Sequence, residues 1–463
     1  MRVTFTKWIA CLVVCCLFGI NAQAQWAQLT GTGGTQATYT SVGVAPDGTP
    51  YVVFSGNVDG TTGSSTTTDK TQVKRWTGTE WQQVGNAGFS TGGVEWTSIA
   101  FSPQGVPYVA FKDKGTVDGV ANRMRVARLN GSTWEIIYNS AAEGRYASLA
   151  FDNSGVLHLA FRDHANESKA VVMRYSGTGT AWSPVGPETG ISTGAVEYTA
   201  IAFDNNNNLY LSYSMGGAPA VQRLVGTEWQ PVGAESLAGI HARNTDIAIG
   251  PNNMPYLLIR SGTEAASAVA RVFRLNGTTW ENVGPATGFG APTIDWMNLE
   301  VGSDNKLYVG FMEVAGRSAV YTPNAAGTAW EYVGGDRVST TFNASHTGFA
   351  MNKANGNFFI SARGASDGNR GLFVWQYTPT TTSAAKDLAN KSGVSVYPNP
   401  SSSSFRFTAA GKFSYVIYNN AGQVMDRGQG VGEGEAGAAL RAGLYFIQLQ
   451  TEAGSQTLKL LKQ

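Results

Sequence analysis

Past residue 16 the chain has no cysteine: all three, Cys11, Cys15 and Cys16, fall in its first stretch. A zinc–thiolate site, a redox dithiol and a cysteine nucleophile are thereby excluded from the remainder, and no disulfide can brace it. Histidine is nearly as scarce, with four in 463 residues. His158, His164, His241 and His346 show neither His-x-His nor His-Glu-x-x-His spacing, so a histidine-rich metal site is not expected. Charged residues make up only 14% of the chain, and the formal net charge is +1. No run or stripe of Lys and Arg is present, which argues against nucleic acid and anionic membrane as partners. One long apolar run exists, residues 8–20, and the repeated part of the chain has no helical periodicity.

That apolar run is preceded by Arg2 and Lys7 and followed by Ala22-Gln23-Ala24. A basic start, a short apolar stretch and a small-residue site describe a secretory signal peptide over 1–24, too short for a stable membrane span. The mature chain is expected to begin at Gln25, with no transmembrane segment. None of the cysteines follows the Leu/small/small pattern of a lipoprotein signal, so simple cleavage is expected. Losing Arg2 and Lys7 takes the formal charge from +1 to −1. An exported chain of this size without disulfides must be held by core burial alone.

What the sequence has instead is a tryptophan about every fifty residues: Trp26, Trp81, Trp134, Trp182, Trp229, Trp280 and Trp330. Self-similarity at this period marks stacking of one supersecondary unit that cannot bury its own apolar face. Each copy opens a short strand (Tyr39-Thr-Ser-Val42, Trp96-Thr-Ser-Ile99, Tyr146-Ala-Ser-Leu149, Tyr198-Thr-Ala-Ile201, Asn244-Thr-Asp-Ile247). A turn rich in Asp, Asn, Pro and Gly leads to a strongly apolar strand such as Tyr51-Val-Val-Phe54. A third strand follows, then a Gly-containing turn such as Asn130-Gly131, and a fourth strand of the form Trp-x-x-Val-Gly. Four antiparallel strands per unit make a propeller blade. The chain begins on a lone fourth strand, Trp26–Leu29, and its last copy, ending at Tyr377, supplies three. One from the front and three from the back complete a shared blade. The expected fold over 25–378 is an all-β, seven-bladed β-propeller whose N-terminal strand closes the last blade, with the tryptophans packing blade against blade. Gly60–Thr68 reads as a low-complexity loop.

Residues 379–393 are Thr/Ser/Ala-rich and read as a linker. Alternating apolar strands around Pro and Gly turns then predict a small β-sandwich over 394–463. Its Tyr397-Pro-Asn-Pro400 opening, its Tyr418-x-x-x-Gly422-Gln423 middle, its Ala442-Gly-Leu-Tyr-Phe446 strand and its Lys459-Leu-Leu-Lys-Gln463 end run in that order. This unit resembles the type A C-terminal sorting domain of the type IX secretion system. The resemblance implies a Bacteroidota source, type IX secretion machinery as the partner of 394–463, export across the outer membrane and cleavage of the tail. The propeller would then be released or attached at the surface. An ordinary adhesive sandwich is the alternative. The Phe151-Asp-x-x-Gly-x-Leu157 hairpin resembles those of a loosely related group of secreted bacterial propellers, a likeness that implies no activity.

Catalytic motifs are thin. Gly88-Phe-Ser-Thr-Gly92 and Gly190-Ile-Ser-Thr-Gly194 match a nucleophile elbow in letters, but both fall in equivalent loops with no helix after them. The Asp152-Asn-Ser-Gly155 and Asp47-Gly48 turns lack the order of a sialidase Asp-box. Their side chains are expected to cap their own backbone, with calcium as the alternative. His158, inside an apolar strand, reads as a core or interblade residue.

One constellation remains. The residue before each opener runs Thr38, Glu95, Arg145, Glu197, Arg243, Asp295, Ser345, and the opener is often aromatic: Tyr39, Trp96, Tyr146, Tyr198, Trp296, with His346 in the last copy. These positions should ring one mouth of the central channel. Counting back from the hairpin turn sets Thr97 opposite Lys112, Trp96 opposite Asp113 and Tyr146 opposite Asp163. Lys112, Asp113, Arg162, Asp163, Arg260 and Glu313 then lie on that same face. Rings interleaved with charges suit sugars or extended polymers. The competing reading is a ring of interblade salt bridges with aromatics plugging the channel. The function expected is a non-enzymatic, surface or extracellular binding and adhesion module for glycans, monomeric and without metal or cofactor. The alternatives are a polysaccharide hydrolase or lyase using Glu95, Glu197 or Asp295, and a structural surface component.

Overall fold

The computed structural model describes residues 26–30, 37–58, 69–263, 267–313, 316–338, 343–365, 371–379, 395–397, 399, 401–419, 423–451 and 454–462. The leader over 1–24, the Gly60–Thr68 loop and nearly all of the 379–393 linker lie outside these residues. The chain divides into two units, 1–379 and 380–463.

The first unit is built from antiparallel four-stranded blades. Blade 1 runs Ala37–Val44, Pro50–Gly56, Lys70–Trp76 and Trp81–Gln83. Blades 4, 5 and 6 repeat this order over 196–231, 242–283 and 295–332. Blade 7 takes three strands from the end, Asn343–Met351, Phe358–Ala365 and Leu372–Tyr377, and its fourth is Trp26–Gln28. Trp26 pairs with Tyr377, Ala27 with Gln376 and Gln28 with Trp375. Leu29 N–H adds a bond to Val374 O at 2.9 Å. The wheel is therefore closed at seven, and closure removes sheet edges that would otherwise recruit other chains.

Blades 2 and 3 are fused into one seven-stranded sheet because a single strand, Thr133–Phe151, is both the outer strand of one and the inner strand of the next. The sequence supplies the reason. Gly85, Gly186, Gly233 and Gly284, four residues after a tryptophan, take left-handed φ between 61° and 101° and end the outer strand. After Trp134 that position is Tyr138, which continues the strand and sets its ring 5.1 Å from Trp182.

The Trp-x-x-Val-Gly signature is a latch between blades. Trp134 Nε1 donates to Val84 O, Trp182 to Ile137 O, Trp229 to Val185 O, Trp280 to Val232 O and Trp330 to Val283 O, at 2.8–3.0 Å. Trp26 does the same on Val333 O at 3.0 Å, whereas the buried Trp81 Nε1 has no such partner. Each acceptor lies three residues after the preceding tryptophan, and in every case but Ile137 the glycine after it lies beneath the indole. A Cβ on Gly233 would sit 2.5 Å from Trp280 Cδ1. The second strand of each blade is buried on both faces: Val52, Val53, Phe54, Val109, Ala110 and Phe111 have no exposed surface.

The Asp/Asn turns cap their own backbone. Asp152 Oδ1 accepts from Ser154 N (2.9 Å) and Val156 N (2.8 Å), and Asp204 holds Asn206 and Asn208 in the same way. Asn153 and Asn205 bond the turn of the following blade. His158 is buried with its ring 4.9 Å from Phe203 of blade 4.

In the second unit the strands Ser395–Tyr397, Phe405–Asn419, Gly443–Thr451 and Gly454–Lys462 lie in that order, with Val424–Ala436 on the free side of Phe405–Asn419. The long Phe405–Asn419 strand changes register between Thr408 and Lys412, where Gly411 is left-handed. There the sheet curls around Phe405, Phe407, Phe413, Ile417, Ile447 and Leu460.

Candidate functional site

Every first strand carries one extra residue at its opener. In blade 2, Ser98 pairs with Ala110, but the next pair is Glu95 with Lys112, and the same shift occurs in the other six blades. The register counted from the turn is corrected accordingly: Asp113 lies opposite Val94, Lys112 opposite Glu95, and Asp163 opposite Gly144. The hairpin turn itself ends one residue earlier, with Phe101 on Pro107, and the bulge adds the second residue of the slip.

In six blades the bulge residue is a bulky side chain with left-handed φ: Tyr39 (49°), Trp96 (47°), Tyr146 (59°), Tyr198 (50°), Trp296 (55°) and His346 (51°). Such backbone costs about 1–3 kcal/mol each and persists only where its surroundings hold it. Here, for four of the six, a threonine just past the next blade's opener does so. Thr97 Oγ1 donates to Tyr39 O (2.6 Å), Thr199 to Tyr146 O (2.6 Å), Thr245 to Tyr198 O (2.9 Å), and Thr40 to His346 O. One position further on, Ser98, Ser148, Asp246 and Asn298 accept a backbone N–H from the next blade. These small polar residues line a channel cavity of about 350 Å³.

The bulges throw the six rings together at one mouth. Tyr198 lies 4.3 Å from Tyr146, Tyr146 4.9 Å from Trp96, and Trp96 5.7 Å from Tyr39. Tyr39 also meets Trp296 (5.5 Å) and His346 (4.6 Å), so the crescent reaches across the axis. Each ring stays half-exposed. Blade 5 breaks the crescent with Asn244, whose Nδ2 donates to Asp295 Oδ1 at 3.0 Å. Burial, with Glu95 beside it, pushes the Tyr39 hydroxyl up to about 12. Burial, with Arg363 nearby, pulls His346 down to about 4.

That depression makes a stability prediction. A histidine whose folded pKa lies below its ordinary 6.5 contributes stability above that pH and loses it as pH falls toward 4. The full contribution is up to about 3 kcal/mol. Replacing His346 by Phe should therefore flatten the unfolding free energy between these pH values relative to wild type. Parallel pH profiles for the two proteins would count against a buried neutral imidazole.

The charged candidates separate into two groups. Lys112 Nζ is 3.1 Å from Glu95 and 3.4 Å from Glu143, and Lys114 reaches Glu95 at 3.3 Å. Arg145 donates through Nε to Glu143 and lies 5.5 Å over the Trp96 ring, with Lys112 at 5.0 Å from that ring. Arg162 bonds Ser168 Oγ at 3.1 Å. Glu197 and Arg243 form a loose, exposed pair at 3.8 Å. These stand with the rings at the mouth.

The second group is committed to loops. Asp113, with no exposed side chain, accepts from Thr91 N, Gly92 N, Gly115 N and Arg125 Nη1 at 2.6–2.9 Å. Asp163 accepts from Ala165 N and Asn166 Nδ2. Glu313, equally buried, takes the Tyr321 and Tyr332 hydroxyls, Arg337 and Ala291 N. Arg260 is buried and gives Nε to Ile294 O at 2.6 Å. Side chains alternate along a strand, so these acids turn away from the residues beside them.

Glu143, Lys114, Ser168 and Asp246 were not evident from the repeat. Asp246 occupies the position that is serine in the first three blades, and burial pushes its carboxyl up to about 7. That column of small polar residues was the available signal. The two elbow-like serines are structural: Ser90 accepts from Thr71 N (2.9 Å) and donates to Gly92 O (2.8 Å), and Ser192 repeats this on Ala170 and Gly194. Among the described residues no three His, Cys, Asp or Glu side chains form a metal-ligating group.

Residues 395–463 match the family model described as the secretion system C-terminal sorting domain. The chain carries a type IX sorting domain. It is thus exported through type IX secretion to the cell surface or the extracellular space. No curated protein matches the sequence. Among solved structures, the type IX cargo is similar to an ulvan lyase of polysaccharide lyase family PL25, solved bound to -[GlcA(1-4)Rha3S]-. They share 13% identity with a TM-score of 0.55, over 76% of this chain and 96% of that one. A fungal alcohol oxidase of the AA5 family, in complex with copper, has a TM-score of 0.51 at 12% identity over 95% and 100%. At these identities the likeness shows the propeller fold.

Proposed function

We propose that the propeller is a non-enzymatic binding module for glycans, working at the cell surface or outside the cell, and that the aromatic mouth is its contact region. The observation that carries this reading is the strip Trp96–Tyr146–Tyr198, three half-exposed rings at 4.3–4.9 Å spacing flanked by Arg145, Arg162 and Arg243. Rings take the C–H face of a sugar, and guanidinium groups take its oxygens. The mouth carboxylates support binding over hydrolysis. Glu95 is held by two lysines, Glu197 is paired to Arg243 and Asp295 accepts from Asn244. A glycosidase needs one carboxyl protonated and a second about 5–10 Å away across an open groove.

A glycan array with the secreted protein tests this directly. Saturable binding without release of fragments is expected, and Trp96→Ala should weaken it about tenfold, the value of one ring contact. New reducing ends or unsaturated products from any bound polymer would move the assignment to a hydrolase or lyase. Surface display with no glycan retained would leave a structural component.

A further inference from the structure

We propose that a notch on the blade 3 side of the mouth, lined by Glu143, Arg145, Arg162 and His164, takes the anionic group of an acidic polysaccharide: a uronate carboxylate or a sulfate ester. This rests on the glycan-binding reading and adds the charge class of the ligand.

The notch is a cavity of about 120 Å³. Its walls are donors. Arg145 spends only Nε, on Glu143, and Arg162 spends one terminal nitrogen on Ser168 Oγ. His164 spends Nδ1 on the same hydroxyl at 3.2 Å. The other nitrogens of all three have no hydrogen-bond partner among the described residues. Glu143 is engaged through one oxygen, Oε1, by Arg145 and by Lys112 at 3.4 Å. Locally four cations, Lys112, Lys114, Arg145 and Arg162, face two carboxylates, Glu95 and Glu143. Two guanidinium groups converge on the notch, and an oxyanion fills their forks with charge-assisted bonds that a neutral hydroxyl cannot match.

The site is also built in advance. Asp163 caps the short turn His164–Asn166, and Glu167 and Ser168 follow it with left-handed φ of 54° and 63°. This backbone brings the buried Ser168 hydroxyl under both Arg162 and His164, fixing their orientation. Arg145 in turn lies over Trp96, so an acid held in the notch places its sugar ring beside the aromatic strip.

The test is titration of the full secreted protein with oligogalacturonate, a sulfated galactan oligosaccharide and the uncharged galactan of equal length. At least one acidic ligand should bind tighter than the neutral one by 10- to 100-fold, with a difference that shrinks as salt rises. Which acid binds separates carboxylate from sulfate. Arg162→Gln and, independently, Arg145→Gln should remove that preference, weakening the acidic ligand by about tenfold more than they weaken the neutral one. Equal binding of charged and uncharged ligands overturns this proposal and leaves the glycan reading intact. No binding of any of the three, nor of any array member, overturns both.

Discussion

A chain lacking Trp26–Leu29 should lose on the order of 5 kcal/mol of stability, comparable with the whole of a typical domain's 5–15 kcal/mol. The deletion strips three paired residues and the Leu29 N–H bond from Leu372–Tyr377, and takes the Trp26 indole off Val333 O and away from the Tyr377 ring at 5.2 Å. It also bares the edge of blade 7, which should then pair with other molecules. No disulfide braces the two ends, since no cysteine lies past residue 16. Thermal unfolding and light scattering on the truncated protein are the measurement. A monomer that melts with the intact protein would mean the wheel is held by something other than this closing strand.

Replacing Trp280 by Ala should cost about 3–5 kcal/mol, the usual range for emptying a buried aromatic site. The side chain is 4% exposed, donates to Val232 O at 2.9 Å and rests on Gly233. Gly233→Ala tests the same latch from below. Its φ of 61° disfavours a side chain, and the new Cβ would lie 2.5 Å from Trp280 Cδ1, so a loss of about 1–3 kcal/mol is expected. The discriminating result is the double variant. Because the alanine at 233 no longer meets an indole, the two losses should not add. Full additivity would show that the glycine matters only for its turn.

Much of this architecture is legible in the chain because packing imposes it directly. Six indoles bond a carbonyl three residues past the previous tryptophan and five of them lie over a bare Cα, so Trp-x-x-Val-Gly recurs at most of the places where one blade meets the next. Tyr138 shows the converse: where glycine is missing, the strand runs on and two blades share one sheet.

The mouth was less legible, and for a specific reason. A bulge changes partners without changing letters. Trp96 and Tyr146 look like ordinary strand residues, yet a left-handed φ at each slips the pairing by a residue and turns the ring toward the axis. Asp113 and Asp163 consequently anchor loops rather than facing the rings. Glu143, the partner of both Lys112 and Arg145, lies in the strand shared by two blades and belongs to no repeated column.

The sequence by itself determined the number of wedges, the latch between them, the strand that closes the circle and the address carried by the tail. The first three follow from periodic burial and local turn chemistry, which act on residues in fixed order, and the address follows from the tail's likeness to the sorting-domain family. Only the tertiary structure decided which charges are engaged with a neighbour and which face solvent beside an aromatic ring. That depends on contacts between blades about fifty residues apart, where one inserted backbone residue redirects a side chain and no spacing rule records it.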